Sequence, residues 1–75
     1  MTKQSGTADS VYKVVELIGT STQSWEDAAK NAVETARGSL RELRIAEVVK
    51  MDLTIKEGKV QGYRTRLLLS LKYEK

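Results

Sequence analysis

Apolar and polar positions change their period three times along this chain. Val11-Tyr12-Lys13-Val14-Val15-Glu16-Leu17-Ile18 is rich in β-branched and aromatic residues and stops at Gly19-Thr20-Ser21, which predicts a strand running into a turn. Ser24-Trp25-Glu26-Asp27 then carries the marks of a helix start. Ser24 can cap the first-turn amides, Asp27 can reach back in a variant of the capping box, and Glu26 and Asp27 suit the positive end of the helix dipole. From there Ala29, Val33, Ala36, Leu40 and Leu43 fall at steps of four, three, four and three, one apolar stripe on a helix of about five turns. Ala28 and Ala32 widen the stripe with small side chains that let a helix lie close to a sheet. Lys30, Glu34, Arg37, Arg41 and Glu42 form its solvated face. Residues 45–55 then predict a long strand. Lys56-Glu57-Gly58-Lys59 predicts a turn in which Gly58 takes a positive φ, and residues 60–73 a second long strand. The order is β-α-β-β, an α+β subunit whose last two strands form an antiparallel hairpin.

Alternation within the strands carries further information. In the last strand Tyr63, Thr65, Leu67, Leu69, Leu71 and Tyr73 share one face, and Arg64, Arg66, Leu68, Ser70 and Lys72 the other. In the second strand Ala46 and Val48 are expected on one face, with Ile45, Glu47, Val49, Met51, Leu53 and Ile55 opposite. The first strand is apolar on both faces, Val15 and Leu17 against Tyr12, Val14 and Ile18. One helix covers one face of three strands. The other face, part apolar and part charged, must meet something else, and another copy of the chain is the simplest candidate.

Composition narrows the chemistry. A 75-residue chain is one small domain, expected over residues 11–75 behind a flexible polar lead-in over residues 1–10. Single cores of this size rarely supply more than roughly 3–5 kcal/mol without disulfides, metal or oligomerisation. There is no Cys and no His, which excludes disulfides, tetrahedral zinc sites and Ser-His-Asp or Cys-His catalysis and leaves oligomerisation. Thirteen basic and ten acidic residues give a net charge of +3 with the signs interleaved, and Phe is absent. That pattern argues against a nucleic-acid partner. The longest apolar run, Leu67-Leu68-Leu69, is far short of the ~20 residues of a membrane span. The opening residues hold no apolar stretch, so the expected location is the cytoplasm. Carboxylates and tyrosines form no paired constellation at a useful spacing, so no enzyme is expected.

The run Val11 to Ser21, the capped helix, Ile45-Ala46-Glu47-Val48-Val49 and Tyr63-Arg64-Thr65 together resemble the dodecins. The resemblance implies a three-stranded antiparallel sheet wrapped around one helix. It further implies a hollow homododecamer built from trimers, with the uncovered sheet face inside. The best-known dodecins bind flavins, stacked in pairs at subunit interfaces, and store them rather than transform them. Their flavin contacts are a Trp just before the Glu-Val stretch and a Gln after the Tyr of the last strand.

This sequence departs at both positions, with Ile45 in place of the Trp and Arg64 in place of the Gln. Ile45 offers no π surface, a loss of about 1–1.5 kcal/mol per aromatic contact beyond area. Arg64 has donors but no acceptor for a ring N–H. Trp25 belongs to the helix start, where it is expected to staple the helix to the sheet. The set Ser24-Trp25-Glu26, Arg44-Ile45-Ala46 and Tyr63-Arg64 is similar to a subgroup described as calcium dodecins, lacking the flavin Trp. The resemblance therefore implies a non-enzymatic binding and storage shell without the standard flavin site, taking calcium. Calcium wants six to eight oxygens, so its site would be assembled between subunits, with Glu47 the first candidate ligand, then Glu16 and Asp52. The plainer reading of Glu47 is an intersubunit salt bridge to Arg64 or Arg66. The alternative is storage of flavin (FMN or riboflavin) through altered contacts at the family's pocket positions Ile45, Glu47, Tyr63, Arg64 and Arg66. Tyr63, Arg64 and Arg66 would then hold a phosphate.

Overall fold

The computed structural model describes residues 10–73. Of the expected lead-in, all but Ser10 lies outside the described residues. The elements are β1 (Tyr12–Ser21), α1 (Trp25–Ala36), β2 (Leu43–Lys56) and β3 (Lys59–Lys72). They form one sheet of order β1-β3-β2, with both pairings antiparallel, so the β-α-β-β pattern gives the fold expected of it.

Local chemistry fixes each junction. Ser24 is extended, and its Oγ accepts from the Asp27 amide at 3.0 Å, the cap expected there. The capping box is not closed as expected. The Asp27 carboxylate instead accepts from Ser21 Oγ at 2.7 Å and ties the helix start to the end of β1. The strand does not stop at Gly19 but runs through it to Ser21. Gly19 is needed for a close approach, because a Cβ there would sit 1.9 Å from the Ala28 carbonyl oxygen. The β2–β3 turn is two residues long, with Glu57 at φ 53° and Gly58 at φ 77°, the left-handed pair that a tight hairpin demands.

Two expectations need correction. The helix has 12 residues, about three turns rather than five. It ends before Gly38-Ser39, where the Leu40 amide donates back to the Ala36 carbonyl at 2.8 Å. Leu40 and Leu43 do reach the core, but from the connector and from the start of β2. The second correction concerns β2. Register shifts between Val48 and Lys50 leave Val49 as an extra residue, a bulge that inverts the alternation downstream. Met51 therefore pairs across from Thr65, and Leu53 from Tyr63, so Met51, Leu53 and Ile55 join Ala46 and Val48 on the helix side. Lys50 and Asp52 take the opposite face, beside Arg66 and Arg64.

The core lies where α1 meets β3. Ala32 and Ala36 of the helix are buried with Leu67 and Leu69, with Leu17, Ala29 and Val33 packed around them, and Ala28 is buried where the helix meets Gly19. Thr65 is the one buried polar residue among those described, and its Oγ1 donates to the Trp25 carbonyl at 2.9 Å. The molecule measures 58 × 22 × 15 Å with a radius of gyration of 15.9 Å. A compact domain of this length would have about 11 Å. The excess is the hairpin: β1 ends opposite Tyr63, and residues 59–62 with the facing part of β2 run on beyond it.

Candidate functional site

The sheet face turned away from α1 is ordered in rows that cross the three strands. Val14, Ser70 and Ile45 form one row, and Glu16, Leu68 and Glu47 the next. Ile18, Arg66 and Lys50 follow, then Thr20, Arg64 and Asp52. An acidic row thus lies beside a basic one. Glu16 and Glu47 flank Leu68 from the two edge strands, about 10 Å apart at strand spacing.

Two of the three candidate carboxylates are committed within the chain. Arg66 Nη1 donates to Glu16 Oε2 at 3.1 Å. Arg64 grips Asp52 as a fork, Nε to Oδ1 at 2.8 Å and Nη2 to Oδ2 at 3.0 Å. Those hydrogen bonds hold the Asp52 carboxyl below its ordinary value, against a smaller opposing effect of desolvation, and raise Arg64 in turn. Glu47 is exposed and enters no ion pair among the described residues. Ile45 stands two residues from it on the same face, 60% exposed.

The remaining pocket position, Tyr63, is on the other face. Its ring meets Trp25 edge-on, centroids 5.1 Å apart at 81°. Trp25 Nε1 donates to the Asp52 carbonyl at 3.0 Å, so Trp25 pins the helix start to β2, the stapling role expected of it. The sheet therefore separates Tyr63 from Arg64 and Arg66, and these three do not form one phosphate cradle within a single chain.

One chain alone does not fit a calcium ion. Among the described residues no three acidic, Cys or His side chains converge. A hard cation needs six to eight oxygens, and further copies would have to supply them. A feature that the sequence did not reveal is an open groove of about 480 Å³ between α1 and β2, lined by Trp25, Glu26, Ala29, Val48, Met51 and Thr65. It exists because the Val49 bulge turns Met51 inward, and simple alternation gives no signal of a bulge. Among the described residues no helix is long and apolar enough to cross a membrane.

Residues 11–74 match the family model described as Dodecin. The chain belongs to the dodecin family. The calcium dodecin of Mycobacterium tuberculosis is 44% identical over 63 residues, 84% of this chain and 89% of the relative. Its crystal structure, described as that of a calcium-chelating antigen with a novel calcium-binding site, superposes with a TM-score of 0.76 at 45% identity, covering 85% of this chain and 91% of that one. The dodecin of Thermus thermophilus is 41% identical over 64 residues, 85% of this chain and 93% of the relative. The dodecin of Streptomyces coelicolor superposes with a TM-score of 0.84 at 32% identity, covering 91% and 97% of the two chains. The three-stranded sheet and single helix are thus the dodecin fold, and the likeness to the calcium dodecin agrees with the subgroup that Ile45 and Arg64 pointed to.

Proposed function

We propose that this dodecin-family chain assembles as a hollow, cytoplasmic homododecamer built from trimers, which binds and stores a small ligand without transforming it. Calcium is the favoured ligand. The observation that carries the assembly is the exposed, half-apolar sheet face, since 60% of Ile45 faces solvent in the single chain. The ligand assignment rests on the same row-ordered face. Glu47 is the carboxylate on that face that enters no ion pair among the described residues, while Glu16 and Asp52 already accept from Arg66 and Arg64. Copies of Glu47 brought together across subunit contacts, with carbonyls and water, would supply the oxygens of a calcium site. Likeness to a relative named calcium dodecin supports this reading. Flavin storage is less favoured, because Ile45 gives no stacking surface and Arg64 is held by Asp52.

The test is native mass spectrometry of the purified protein, with calcium and then with flavin mononucleotide. The expected species lies near twelve times 8.4 kDa, takes up calcium and ignores flavin. Glu47→Gln should keep the assembly and lose the calcium adducts. A monomer would overturn the shell, and flavin uptake in place of calcium would overturn the ligand assignment.

A further inference from the structure

Two apolar features of the chain are left open, and they are complementary. The first is the hairpin tip, where Ile55 and Val60 are cross-strand partners and remain 64% and 57% exposed. The next and outermost rung is basic, Lys56 opposite Lys59. The second feature is the α1/β2 groove, whose walls are Ala29, Val48, Met51 and the Trp25 ring, and whose lining includes the exposed carboxylate of Glu26. The groove is open to solvent and, at about 480 Å³, has room for more than one side chain. One side chain would leave it mostly wet, whereas a two-strand tip is of the right scale.

We infer that the hairpin tip of one copy docks in the α1/β2 groove of the next, with Ile55 and Val60 against Val48, Met51 and Trp25, and Lys56 or Lys59 beside Glu26. The inference rests on the proposed assembly and adds to it which surfaces meet. The charges decide the occupant: a basic rung next to an apolar one matches an apolar groove that has the exposed Glu26 in its lining, and one chain carries both halves. The chain cannot satisfy its own groove with its own tip, because Met51 and Val60 lie on the same rigid hairpin, the tip several rungs further out. Knob and groove are different patches, so the contact is head-to-tail, the kind that closes into rings such as trimers.

The experiment uses the full chain and the fluorescence of its single tryptophan, Trp25, which lines the groove. Val60→Asp changes a residue that is exposed in its own chain, so the far-ultraviolet circular dichroism should not change. The concentration at which copies separate should rise roughly ten- to hundred-fold, and Trp25 emission should shift to the red. Glu26→Lys and Lys59→Glu should each weaken assembly, and the two together should restore it, which a general loss of folding could not do. An assembled wild type whose Val60→Asp variant assembles equally well with unchanged emission would overturn the docking and leave the shell intact. That outcome would give the groove to another occupant. A monomeric wild type would overturn both.

Discussion

The two edge strands of this sheet flank the same central strand, yet their surroundings differ. β1 lies under α1, with Gly19 buried against the helix backbone and Leu17 packed on the core formed by Ala32, Ala36, Leu67 and Leu69. β2 has no fully buried residue, and Met51, on the helix side, is still 56% exposed. A three-turn helix reaches across β1 and β3 but leaves most of β2 uncovered. The difference shows how a 75-residue chain divides its stability. The β1-α1-β3 layer is satisfied by the chain itself, and β2 carries apolar surface whose burial waits for neighbours.

The sharpest way to break that contrast is a matched pair of truncations. Leu67→Ala, in the layer that one chain completes, should cost about 2–5 kcal/mol in urea denaturation, enough to exhaust a core of this size. Ile45→Ala on β2 should change the stability of a separated copy by no more than about 0.5 kcal/mol. If both cost the same under dissociating conditions, the two regions are not distinct. A smaller effect sharpens the reason that β1 is covered. Gly19→Ala would force a methyl group against the Ala28 carbonyl, and the helix must lift by overpacking, at about 1–3 kcal/mol, read as a lower midpoint in the same titration.

The smallest effect belongs to the Asp52–Arg64 pair that ties β2 to β3. The folded carboxyl lies below its ordinary value of 3.8, so the pair's contribution is complete above that pH and is lost as pH falls through the folded value. Wild type should therefore lose melting temperature more steeply than Asp52→Asn below about pH 4, with no difference in slope near neutrality. Both partners are well exposed, with 40% and 41% of their side-chain surfaces accessible, so the effect is small. Parallel acid melting curves would show that the fork adds nothing to the edge strand.

The contrast between the edges was only partly written in the order of residues. Strand identity and the hairpin were legible because β-branched runs and Glu57-Gly58 have local physical consequences. The helix was read too long because Leu40 and Leu43 continue a spacing of three and four by coincidence of position. They pack on the same core as the true stripe, and only Gly38-Ser39 betrays the end. The faces of β2 beyond Val48 were misassigned because Val48 and Val49 are equally apolar, so nothing in the alternation marks which is the extra residue. Site geometry was less legible still. That Glu16 and Asp52 are engaged and Glu47 is not, among the described residues, depends on register across strands up to 50 positions apart in the chain.

The strand order β1-β3-β2 also has a consequence in time. The first two strands to leave the ribosome are never each other's neighbours, because both are ladder partners of the last. Until β3 emerges, the nascent chain can form α1 but not a single rung of sheet. The two apolar edges remain without a template through most of synthesis. The final strand then supplies both pairings, the two-residue turn bringing β2 into register first and β1, whose Tyr12 meets Lys72, closing the longest loop.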